Sequence, residues 1–81
     1  MAGFAKSEAE IAERASRFIK AELKRANVTY AEHAERLAKH GLKTETEASI
    51  KSKLARGTFP ATFLIASLAA LEKEGMRLEE I

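Results

Sequence analysis

The chain has 81 residues, 46% apolar and 32% charged, with 14 basic and 12 acidic side chains and a net charge of +2. A chain of this length buries roughly 60% of its unfolded surface, enough for one domain with one modest core, and its composition is that of a folded chain, not a disordered one. It contains no cysteine, which excludes disulfide frameworks and cysteine-based zinc sites and leaves packing alone to hold the fold.

A charge of +2 is too small to name a nucleic-acid partner by itself. Its distribution says more. Residues 1–42 carry eight basic and six acidic groups, residues 43–60 four and two, and residues 61–81 two and four. Positive charge therefore gathers in the middle, along an acid-free run from Lys51 to Phe59, a pattern that permits DNA binding without requiring it. The start "MAGFAKSEAE" lacks a long apolar core, and the most apolar run, "PATFLIASLAAL", is shorter than the ~20 residues a membrane span needs. The expectation is a cytoplasmic protein with no membrane partner.

In chain order, periodicity gives helices and no strands. After residues 1–6, expected as a flexible tail, "SEAEIAERASRFIKAELKRAN" opens with Ser7 and Glu10 at capping-box spacing. It repeats apolar residues at Ile11, Ala15, Phe18, Ile19 and Leu23, and Asn27 follows as a left-handed stop. "VTYAEHAERLAKHG" starts again with Thr29 and Glu32, places Ala31, Ala34, Leu37 and Ala38 on one side, and ends at Gly41. Beyond the polar "LKTETE", a third helix is signalled by Thr44 with Glu47 as a capping pair, or by Thr46 as the cap instead. Ile50 and Leu54 lie one turn apart in it, and Gly57 ends it. Pro60 occupies a first helical position, "PATFLIASLAALEKEG" runs as a fourth helix to Gly75, and "MRLEEI" adds a last turn.

The fourth helix is unusually apolar. At ~100° per residue, Phe63, Leu64, Ile65, Leu68 and Leu71 spread over about 200°, with Ala66, Ala69 and Ala70 on the remainder. Two readings follow: the central helix of a small bundle, or a homodimer seam formed by part of this helix and the last turn.

The helix order, with a Gly-terminated third helix followed by Pro and an apolar fourth, resembles the lambda-repressor-like helix-turn-helix domains. "VTYAEHAERL" resembles the start of that family's second helix, and "IKSKLARG" the end of its recognition helix. "FPATFLIASLAAL" and the closing "MRLEEI" extend the likeness over about residues 19–81. The string "KAELKRANVTYAEHAERL" with "ASIKSKLARGTF" resembles more closely still a small family of bacterial domains with no assigned function. The resemblance implies an all-α bundle of four to five short helices, filling residues 1–81 as a single domain. It also implies a small transcription regulator that lays its third helix, about residues 46–56, on double-stranded DNA. One departure is visible: "AKHGLKTETEAS" is longer than the family's tight turn between its two reading helices, and a lengthened turn changes how they meet the groove.

With Ile50 and Leu54 inward, Ala48, Ser49, Ser52, Ala55 and Arg56 face outward, with Lys51 and Lys53 on the two edges. In the DNA-binding reading, Ser49 and Ser52 bond to base edges or phosphates, Arg56 reaches guanine or phosphate, and Lys51 and Lys53 anchor the backbone. Thr29 and Tyr30, at the start of the second helix, are further backbone-contact candidates. The competing reading makes these ordinary solvated residues, with the apolar fourth helix and the small-residue face of the third serving protein interaction or dimerisation. Glu45 and Glu47 at the start of the third helix count against DNA, because their charge repels phosphates.

No catalytic constellation stands out, and no cofactor is implied. His33 and His40 are two helical turns apart, too far to share one metal easily, and are expected at the surface or rim. Glu residues alternating with Lys and Arg in "EAEIAER" and "AELKR" read as pair-stabilised helix faces and not as acid and base catalysts.

Overall fold

The structure is a computed structural model and describes residues 6–73 and 75–77. Its described residues form four helices and no strand: α1 (Glu8–Arg25), α2 (Tyr30–Lys39), α3 (Glu47–Arg56) and α4 (Ala61–Ala70). The fold is therefore all-α, as the periodicity predicts. Most of the expected tail, residues 1–5, and the end of the expected last turn, residues 78–81, lie outside the described residues. Met76 and Arg77 are not helical.

Short polar side chains start the first three helices by satisfying backbone N–H groups that have no partner within the helix. Ser7 accepts from the Glu10 amide at 3.1 Å. Thr29 and Glu32 form a reciprocal capping box. For α3 the cap is Thr46 paired with Ser49, not Thr44 with Glu47. Pro60 is the N-cap of α4, one residue before the expected position, with extended backbone. Acidic side chains in the first turn and basic ones in the last turn of α1, α2 and α3 match the helix dipole.

Three helices end the same way. Behind α1, α2 and α4, a left-handed residue lets the next amide reach back five positions: Val28 to Leu23 at 2.9 Å, Leu42 to Leu37 at 3.0 Å, and Lys73 to Leu68 at 2.8 Å. The left-handed residues are Asn27, Gly41 and Glu72. This pattern satisfies the last carbonyls and stops the helix. It ends α4 well short of Gly75, the expected stop.

The main packing runs α1 on α3, α3 on α2, and α2 on α4. Thus α4 packs chiefly against α2. The core holds Phe18, Ile19, Leu23, Val28, Leu37, Ile50, Leu54, Phe63, Ala66 and Ala70. Each large side chain fully buried there contributes ~1.5–3 kcal/mol. Two large apolar side chains expected on the inner face are exposed, Ile11 at 44% and Ile65 at 65%. The expected pairs form, with Arg14 on Glu10 at 2.9 Å and Arg25 on Glu22, and Arg17 also pairs with Glu13 at 2.7 Å.

Candidate nucleic-acid interface

Two anchors set the orientation of α3. Ile50 and Leu54 are 0% and 1% exposed, which turns the opposite side outward. Lys51, Ala55, Ala48, Ser52 and Arg56, all exposed, span an arc of about 140° at ~100° per residue. Its floor is small, and Arg56 Nη1 donates to Ser52 Oγ at 3.1 Å. Such a surface lets a helix axis come close to a partner with cations at its borders.

Ser49 and Lys53 are engaged elsewhere. The Ser49 hydroxyl accepts from the Thr46 amide at 2.8 Å and donates to Glu45 at 2.7 Å. Lys53 Nζ lies 3.1 Å from Glu45 and 5.8 Å from the centre of the Phe63 ring. Both partners of the Lys53–Glu45 pair are largely shielded, with side chains 20% and 11% exposed. Glu45, a charge expected to repel phosphate, is thereby neutralised inside the protein, while Glu47 stays exposed in the first turn. Glu45 is a residue that sequence reasoning miscast. Its partner is eight positions away across a helix start, a spacing that no helical rule points to.

At the start of α2, Thr29 Oγ1 accepts from the Glu32 amide at 3.1 Å and the Glu32 carboxylate accepts from the Thr29 amide at 2.9 Å. The Thr29 hydrogen bonds hold the Glu32 carboxyl below its ordinary range, so this terminus already has an anion of its own. Tyr30 is half-buried against the core. The structure thus brings Lys51, Ser52 and Arg56 together, turns Ser49 and Lys53 toward Glu45, and commits Thr29 to capping.

Behind this surface lies a histidine that the sequence suggested was at the rim. His33 is 0% exposed, whereas His40 is exposed. His33 Nε2 lies 3.0 Å from Ser67 Oγ of α4, its ring stands edge-on to Phe63 with centroids 6.4 Å apart, and Nδ1 meets no partner among the described residues. Burial lowers its pKa from 6.5 to about 4, with the Arg36 charge acting in the same direction and Glu45 opposing it. The ring is therefore neutral near pH 7 and serves as a polar pin between α2 and α4. Position 33 follows the α2 pattern of Ala34 and Leu37, but histidine type alone does not distinguish a pin from a surface residue. Among the described residues, no group of three or more His, Asp or Glu is placed to hold a metal.

The uncharged α4 has a separate outer surface. Ile65 borders a shallow groove of about 350 Å³, shared with Thr62, Ala69 and the Gly41 turn. No helix among the described residues is long and apolar enough to cross a membrane.

These features define a small all-α domain with a cationic face on α3 and an uncharged α4. Residues 11–76 match a family described as a domain of unknown function, DUF6471, and the chain belongs to that family. Neither a curated protein nor a solved structure matches the chain.

Proposed function

We propose that this domain is a DNA-binding module of a small transcription regulator acting in the cytoplasm. It uses α2, the intervening loop and α3 as a helix-turn-helix with a lengthened turn. The observation that carries this reading is the exposed face of α3, where Lys51, Ser52 and Arg56 border a floor of Ala48 and Ala55. Small residues allow close approach, Lys51 and Arg56 suit phosphates, and Arg56 also suits a guanine edge. The Glu45–Lys53 pair compensates the negative charge at the start of the helix and takes Lys53 out of the phosphate-contacting set. The loop between α2 and α3 covers residues 40–46, against the three to four residues of a tight helix-turn-helix, so the angle at which α3 meets the groove is its own.

The test is binding to mixed-sequence duplex DNA at increasing salt. Binding should weaken steeply with salt, and Arg56→Ala should reduce affinity by about tenfold with the fold unchanged, a loss of the size expected for one good contact. Affinity that is independent of both salt and Arg56 counts against the reading.

A second reading draws on Ile65, a large apolar side chain 65% exposed on a helix with no charged residue. It makes α4 a seam for a second copy of the chain, and a dimer also suits recognition of paired half-sites. Light scattering should then give twice the chain mass, and Ile65→Glu should return it to the monomer. A monomeric wild type at high concentration removes this seam.

A further inference from the structure

We propose that the groove between α1 and the last turn of α3 is a seat for the phosphate backbone of duplex DNA, with Arg17 and Lys20 as its α1 rim. This rests on the DNA-binding reading of α3 and extends the contact surface to a second helix.

The groove encloses about 250 Å³. Two close contacts build it. The buried Ser16 hydroxyl donates to the Leu54 carbonyl, and Gly57 approaches α1 so tightly that a Cβ there would stand 3.1 Å from the Ala12 carbonyl oxygen. The last turn of α3 is thus held against α1, and Arg56 comes to border the same depression as Arg17 and Lys20. Glu13 is the one carboxylate among the lining residues, so three cations against one anion leave a net charge of +2 there.

Glu13 does not cancel the site. It pairs with Arg17 at 2.7 Å, but both side chains are 69% exposed. An ion pair this open contributes little and exchanges readily for a phosphate. The cationic edge also continues along α1. Arg17, Lys20 and Lys24 lie within about 60° of one another at ~100° per residue and span roughly 10 Å at 1.5 Å per residue. Duplex DNA presents one charge per ~1.7 Å of its axis over such a distance. Lys51, exposed one turn before Ala55, adds a cation on the α3 side.

The floor of the groove decides the chemistry of the partner. Ser16, Leu54 and Gly57 line it between the exposed Ala9 and Ala55, Leu54 is 1% exposed and so closed to a partner, and no aromatic side chain lines it. A base has no platform to stack on, which disfavours single strands, and an amphipathic peptide helix finds no pocket for its apolar anchors. What remains is recognition of charge along a backbone. Contacts of this kind position a protein on DNA without reading its sequence, which assigns orientation to α1 and leaves base reading to α3.

The test measures affinity for a labelled mixed-sequence duplex against salt concentration. Wild type is compared with Arg17→Gln/Lys20→Gln and with a control of equal charge loss outside both the groove and the helix-turn-helix, Arg25→Gln/Arg77→Gln, at two exposed positions. Because Arg17 and Lys20 are exposed, the double variant should keep its melting temperature. Its slope of log affinity on log salt should fall by about 2, as for two lost phosphate contacts, and its low-salt affinity by about tenfold or more, while the control changes little. If both double variants behave alike but Arg56→Ala still weakens binding, the groove is overturned and the α3 reading stands. If wild type shows no salt-sensitive duplex binding, both fall together. Binding of polyglutamate through Arg17 and Lys20, with duplex affinity unchanged by their loss, overturns the proposal in favour of an acidic polypeptide.

Discussion

α3 and α4 are each ten residues long, and they use their side chains in opposite ways. α3 carries charge at positions 47, 51, 53 and 56, yet two anchors, Ile50 and Leu54, suffice to seat it and free the opposite face. α4 carries no charge at all, yet it leaves Ile65 outside and buries Phe63, Ala66, Ser67 and Ala70. Apolar content measures how much a helix is able to bury. The shape of its neighbour decides which side is buried, and α2 offers α4 a histidine, which Ser67 meets.

The sharpest way to break this contrast is to empty the buried side of α4. Phe63 is 1% exposed and meets His33, Phe59 and the Lys53 ammonium. Phe63→Ala should cost ~3–5 kcal/mol, measured by urea unfolding. A cost below about 1 kcal/mol would mean that α4 is not seated as described.

The next effect comes from the polar pin. His33 titrates near 4 when folded and near 6.5 when free. Its folded pKa is depressed, so below pH 6.5 the unfolded chain takes up a proton that the folded one refuses until about pH 4. Stability is therefore full above pH 6.5 and falls with pH, by about 2.5 kcal/mol between pH 7 and 4.5. Unfolding at the two pH values, with His33→Gln alongside, should show a smaller drop in the variant. Equal drops would place the histidine in water.

The smallest effect concerns how the two helices stop. α3 ends on Gly57 at φ +73°, whereas α4 ends with Glu72 at φ +59°, a conformation that costs a side-chain-bearing residue energy. Glu72→Gly should raise stability by about 0.5–1 kcal/mol, seen as a small rise in melting temperature. No change or a fall would contradict the left-handed turn.

Those same residues explain what the sequence made legible. Helix starts were readable because Ser7, Thr29 and Thr46 act locally, through amides three residues on. The stops at Asn27, Gly41 and Gly57 were readable for the same reason. The end of α4 was hidden because Glu72 carries no sign of a left-handed turn. Periodicity puts Ile11 and Ile65 inside because it marks a face without marking its partner. The outward direction of Lys51, Ser52 and Arg56 followed from Ile50 and Leu54. The engagement of Ser49 by Thr46 and Glu45, three and four positions away, is local, but capping-box spacing favours Glu over Ser as the return partner. The pairing of Lys53 with Glu45 eight positions away, and the meeting of Arg17 and Lys20 with Arg56, follow no local pattern.

The most direct test of the central claim is fluorescence anisotropy of a labelled mixed-sequence duplex titrated with the wild-type domain and with Arg56→Ala at two salt concentrations. The account predicts binding that weakens steeply as salt rises and is about tenfold weaker in the variant, for loss of one good contact. The absence of binding at low salt would contradict it and leave the exposed face of α3 without a nucleic-acid role.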